Sequence, residues 1–76
     1  MADLRKRFGA RLRTLRREAG LSQESLASNS GISVDFLSLV ERGINAPSFK
    51  NIEKLSRALG VPIRELFDFP SYEDHT

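Results

Sequence analysis

Only Gly31, Ile32 and Ser33 separate two helical segments of this chain, one starting at Gln23 and the other at Val34. A connection this short makes the two helix axes cross steeply, and a steep crossing admits few side chains at the contact. Counting from Gln23 as the first position, the fifth is Ala27, small enough for the second helix to approach. The ninth is Gly31, which takes a positive φ without steric cost. The tenth, fifteenth and eighteenth are Ile32, Leu37 and Val40, apolar residues placed to lock the pair. An ordinary helical hairpin also ends in glycine and restarts at serine. It does not require this run of small, glycine and apolar positions.

The rest of the chain reads as more helices of the same kind. Phe8, Leu12 and Leu15 recur at helical spacing between about Asp3 and Ala19, with Leu4 one turn earlier and Gly20 as the exit. Ser22 is placed to cap a second helix with Leu26 and Ala27 inward, and Ser33 a third that runs to Arg42 with Leu37 and Val40 inward. Ile44 to Pro47 forms a loop. Ser48 caps a fourth helix carrying Ile52, Leu55 and Leu59, which stops at Gly60. Pro62 suits the first turn of a short fifth helix with Ile63, Leu66 and Phe67. Pro70 closes it, and Ser71 to Thr76 read as a polar tail. No run alternates with period two for long enough to make a strand. The expected fold class is all-α, with five helices.

Composition excludes several functions. Seventy-six residues suffice for one domain, and the absence of cysteine removes disulfides and thiolate metal sites. The single histidine, His75, lies next to the last residue. No glycine-rich phosphate loop, Ser–His or Cys–His constellation or metal-spaced cluster is present, and Glu24, Glu41, Glu53 and Glu65 are spread over different helices. The chain is therefore expected to be no enzyme and to need no cofactor, metal or small-molecule ligand. Leu4-Arg5-Lys6-Arg7 is followed by no apolar export segment, and no stretch approaches the roughly 18 apolar residues of a membrane helix. A cytoplasmic protein is expected.

The net charge is only +2, but it is unevenly placed. Arg5, Lys6, Arg7, Arg11, Arg13, Arg16 and Arg17 crowd the first segment against Asp3 and Glu18, while Glu73 and Asp74 make the end acidic. A basic first segment suits a polyanionic partner. It equally suits a solvated helix face, and charge alone leaves both readings open.

Taken together, Leu21-Ser22-Gln23-Glu24-Ser25-Leu26-Ala27, Gly31-Ile32-Ser33, Leu37-Ser38, Val40-Glu41-Arg42-Gly43, Pro47-Ser48 and Leu59-Gly60-Val61-Pro62 resemble the lambda-repressor-like, or Xre-type, helix-turn-helix family. The resemblance covers about residues 4 to 69 and implies a DNA-binding domain over residues 1–70, with residues 71–76 as the tail. It implies sequence-specific binding of double-stranded DNA by a transcriptional regulator, with the third helix in the major groove. The positions it puts near base edges are Ser33, Val34, Asp35, Ser38 and Leu39. Gln23, at the start of the second helix, is implied to hold a backbone phosphate together with the helix amide end. Arg42, Asn45 and Lys50 match positions that meet phosphates in and beside the loop after the third helix. Arg16 and Glu41 match an ion pair joining the first helix to the third, and Arg16 is a second candidate for phosphate.

Some positions keep two readings. Asp35 can accept from a cytosine amino group, or simply place a negative charge in the first turn to suit the helix dipole. Val34 and Leu39 can meet thymine methyl groups. They also fit a protein-interaction module with weak DNA binding, the alternative function class. Phe36 either flanks a sugar-phosphate or closes the core. Two copies on an inverted repeat would read half-sites about one helical turn apart, ~34 Å, so a homodimer is expected. Its interface is expected on the fifth helix with Phe69 and Tyr72, unless these only close the core against the first helix.

Overall fold

The computed structural model describes residues 3–69. Every α-helix starts at a short polar side chain that accepts a hydrogen bond from an otherwise unpaired amide of the first turn. Asp3 accepts from Lys6 N ahead of α1, Leu4–Glu18. Ser22 accepts from Ser25 N ahead of α2, Gln23–Ser30. Ser33 accepts from Phe36 N ahead of α3, Val34–Glu41, and Ser48 from Asn51 N ahead of α4, Phe49–Leu59. Gly31 leaves α2 at φ 73°, and the Ile32 amide then turns back to the Ala27 carbonyl at 3.1 Å. This backbone conformation is why the turn needs glycine at that position.

The fifth segment is not an α-helix. Ile63–Phe67 forms a 3-10 helix, so the described residues hold four α-helices where five helices were expected. Pro62 stands at the cap position rather than in the first turn, and it carries no acceptor for the exposed amides. Five residues are too few to satisfy themselves by longer-range bonds, so the segment tightens instead, with Glu65 N donating to Pro62 O at 2.9 Å. Among the described residues there is no strand.

Each element gives one fully buried leucine to a common core: Leu12, Leu26, Leu37, Leu55 and Leu66. Burying a leucine contributes about 1.5–3 kcal/mol, so these five are a large share of what holds so short a chain together. Phe8, Leu15, Val40 and Ile52 fill in around them. α1 packs on α3 and on the closing 3-10 helix, while α2 packs on both α3 and α4. The α2–α3 pair is thus braced from two sides.

The tightest approach is at Gly9, which is buried in the middle of α1. A Cβ there would collide with the carbonyl oxygen of Val40 and stand 2.6 Å from that of Glu41. The absence of a side chain lets α1 lie on the end of α3. Leu4, expected inward, is instead 52% exposed, because α1 begins beyond the end of the core.

The closing 3-10 helix is fastened to α1. Arg11 Nε donates to the Glu65 carbonyl at 2.8 Å and Arg11 Nη2 to Glu65 Oε1 at 3.2 Å. The Phe67 ring lies 5.2 Å from that of Phe8, and the Arg7 guanidinium stands 5.2 Å over the Phe69 ring. Leu66, Phe67 and Phe69 therefore take part in core closure. Pro70, Tyr72 and the tail lie outside the described residues.

Candidate nucleic-acid interface

α3 buries Leu37, Val40 and Glu41 and half-buries Phe36 against the core. At about 100° per residue, the opposite face then carries Val34, Asp35, Ser38, Leu39 and the C-cap Arg42. Val34, Asp35 and Arg42 are exposed, and Ser38 and Leu39 are half-exposed. Ser33 is exposed at the start of the same helix, its oxygen engaged by the Phe36 amide at 3.1 Å. Of the five positions assigned to base edges, Val34, Asp35, Ser38 and Leu39 thus share the outward face of α3, and Ser33 stands at its cap. Phe36 is half-buried and packs against the core, in keeping with the core-closing reading of it.

Behind α3 lies a buried carboxylate that gathers three partners. Arg16 Nε donates to Glu41 Oε2 at 2.6 Å and Arg16 Nη2 to Oε1 at 3.0 Å, a two-pronged pair joining α1 to α3. Gln23 Nε2 donates to the same Oε1 at 3.0 Å, and Arg13 Nε stands 3.6 Å from it. Burial by itself would push the Glu41 carboxyl up. The hydrogen bonds from Arg16 and Gln23 and the charges of Arg16 and Arg13 outweigh it, holding the carboxyl below its ordinary value. The bond from Glu41 in turn raises Arg16 against the opposing effect of burial, so both groups stay ionised.

This arrangement decides what Arg16 has to offer a ligand. Its Nη1 donates to the Leu21 carbonyl at 2.9 Å, so all three guanidinium nitrogens are engaged within the protein. It is also buried, at 9% exposure. Arg16 therefore holds the scaffold, and a direct phosphate contact would require leaving it. Other arginines of the basic first segment also have partners within the chain. Arg11 fastens the 3-10 helix, Arg7 covers Phe69, and Arg5 stands 3.5 Å from Asp3.

The other phosphate candidates come from α2, the end of α3, the loop after it and α4. Gln23 is half-buried at the first position of α2, and Lys50 is exposed in the first turn of α4. Arg42 is exposed where α3 ends, and Asn45 is half-buried in the following loop, its amide donating to Leu39 O at 3.3 Å. Sequence reading missed Gly9, Arg13 and the bond from Gln23 to Glu41. These contacts join residues from different helices, and only the helix crossing brings them together. A glycine inside an otherwise helical run was the one available signal for Gly9.

Comparison with known proteins agrees with this geometry. The helix-turn-helix (HTH_3) family profile matches residues 12–66. An uncharacterized HTH-type transcriptional regulator of Sinorhizobium fredii is 44% identical over 64 residues, covering 84% of this chain and 83% of the relative. The control protein C.BamHI of Bacillus amyloliquefaciens is 40% identical over 68 residues, covering 88% and 84%. Among solved structures, the restriction-modification controller protein C.AhdI from Aeromonas hydrophila superposes with a TM-score of 0.81 at 49% identity. That superposition covers 83% of this chain and 96% of the controller.

Proposed function

We propose, from the premise that this chain belongs to the helix-turn-helix (HTH_3) family, that α3 enters the DNA major groove and reads base edges there. The chain is a sequence-specific DNA-binding regulator of transcription, as its relatives are transcriptional regulators and controller proteins. On this proposal the protein acts in the cytoplasm, on double-stranded DNA, without catalysis. No helix among the described residues is long and apolar enough to cross a membrane.

The observation that carries this proposal is the composition of the outward face of α3. Among its large apolar residues only Val34 is exposed, at 36%, while Phe36 is packed against the core. That face is too polar to be a docking surface for an apolar partner, which disfavours the protein-interaction alternative. Ser33, Val34, Asp35, Ser38 and Leu39 are assigned to base edges. Gln23, Arg42, Asn45 and Lys50 are assigned to phosphates on either side, with α2 directing its amide end at one of them. Glu41 and Arg16 act from behind by fixing α1, α2 and α3 relative to one another.

The regulator acts as a homodimer on an inverted repeat, since one recognition helix of eight residues reads only a half-site. The proposal extends to control of a restriction-modification locus, the role named for the similar C.AhdI controller protein. Fluorescence-anisotropy titration of a duplex at rising salt tests the interface: log K should fall linearly with log salt, by about 0.9 for each phosphate contact. A salt-independent affinity would contradict it.

A further inference from the structure

Arg13 takes no part in the contacts assigned to DNA. It stands on α1, and its Nε lies 3.6 Å from Glu41 Oε1, too long for a hydrogen bond. Glu41 is already neutralised by both prongs of Arg16, whose side chain is 10% exposed against 42% for Arg13. The charge of Arg13 is therefore surplus to the buried pair. Arg11 and Arg16 direct their guanidinium groups at carbonyls and carboxylates of their own chain. Neither terminal nitrogen of Arg13 donates to any described residue.

The same carboxylate oxygen brings Gln23 to this place. Gln23 Nε2 donates to Glu41 Oε1 at 3.0 Å, so Gln23 and Arg13 lie against one atom and are neighbours in space. A carboxylate only accepts hydrogen bonds, which fixes the Gln23 amide with its nitrogen toward Glu41. That nitrogen carries a second hydrogen, and it has no acceptor among the described residues. Gln23 also opens α2, where the first helix amides lack acceptors of their own. The charge of Glu24, exposed in the same turn, reaches Arg16, but water screens it.

We propose that Arg13 and Gln23 form one phosphate seat, with Arg13 binding the DNA backbone directly and Glu41 as the positioning residue for both. The seat rests on the proposed DNA reading and adds to it a contact from α1. A guanidinium pairs with phosphate oxygens through its fork of N–H groups. With Nε turned to Glu41, the terminal nitrogens of Arg13 are left for that phosphate, and Gln23 supplies a neutral donor beside them. Two arginines of one helix thus divide the work. Arg16 is buried and holds α1, α2 and α3 together, while Arg13, one turn earlier and half-exposed, carries the charge that a ligand can reach.

Anisotropy titration of the full chain tests the seat, using a duplex recovered by library selection and copies of it with one phosphate at a time replaced by methylphosphonate. Arg13→Gln should weaken binding about tenfold and lower the slope of log K against log salt by about 0.9 for each bound copy. Arg64→Gln removes the same charge from the exposed side of the 3-10 helix and should leave the slope in place. Because Arg13 makes no hydrogen bond, the Arg13→Gln melt should match the parent's. One methylphosphonate should weaken the parent and leave both Arg13→Gln and Gln23→Ala no weaker than on the unmodified duplex. A merely structural role for Arg13 would not produce that shared insensitivity. An Arg13→Gln variant that binds like Arg64→Gln, or two variants insensitive to different phosphates, overturns the seat and leaves the DNA reading standing. A parent that binds no duplex overturns the DNA reading and the seat with it.

Discussion

Gln23 Nε2 donates to Glu41 Oε1 across 3.0 Å, joining the first residue of α2 to the last residue of α3. The same carboxylate receives both prongs of Arg16 from α1. One buried group thereby sets the mutual position of three helices, two of which carry the residues assigned to DNA. Stability and recognition share a part, and the consequences of altering it are separable.

Removing either member of the buried pair leaves the other charged and uncompensated. Glu41→Ala and Arg16→Ala are each expected to lower stability by about 3–5 kcal/mol, near the full stability of a domain of this length. Urea denaturation followed by circular dichroism measures this. A loss below about 1 kcal/mol would assign the pair the small value of a solvent-exposed one.

The same pair gives folding an acid dependence. The folded protein holds the Glu41 carboxyl below its ordinary value of 4.5, so the unfolded chain binds the proton more readily. Stability from this group is therefore fully present above about pH 4.5 and is lost as pH falls through the folded value. Asp3, lowered first by the Lys6 amide, acts in the same direction. Melting temperatures across this range should fall with acidity, and Glu41→Gln should flatten the curve without abolishing it.

Gly9→Ala would ordinarily favour a helix by roughly 0.5–1 kcal/mol. Here the added Cβ meets the backbone carbonyls of Val40 and Glu41, which cannot rotate away. The variant should be destabilised by about 1–3 kcal/mol, as overpacked sites are. A thermal melt settles the sign, and a gain in stability would contradict the close approach of α1 to α3.

Substitutions on the proposed interface should divide into two kinds. Gln23→Ala and Lys50→Ala should weaken binding to all duplexes alike and reduce the salt slope, with Gln23→Ala also leaving a Glu41 oxygen short of one partner. Asp35→Ala should shift the preference at one base pair by about 1–3 kcal/mol. An unchanged preference would leave Asp35 as a charge suited to the helix dipole only.

What could be read from the sequence follows the range of the interactions involved. Caps at Ser22, Ser33 and Ser48 and the turn at Gly31 are local, and they appeared where the residue types required them. The inward faces were legible because burial follows helical spacing. The 3-10 geometry of Ile63–Phe67 was not, because it depends on a missing cap rather than on apolar spacing. The commitment of Arg11 and Arg16 to carbonyls and carboxylates was also hidden, since a cation's partner across a helix crossing leaves no trace in spacing. Phe49 went unnoticed because a phenylalanine at the start of an amphipathic helix looks like a core residue. In the structure it is 87% exposed.

The most direct test of DNA readout by α3 is selection of bound duplexes from a randomised library, run at low and at near-physiological salt. The expected result is recovery of an inverted repeat with half-site centres about one helical turn, ~34 Å, apart. The recovered preference should change with Asp35→Ala. Recovery of no sequence above background at either salt would contradict it.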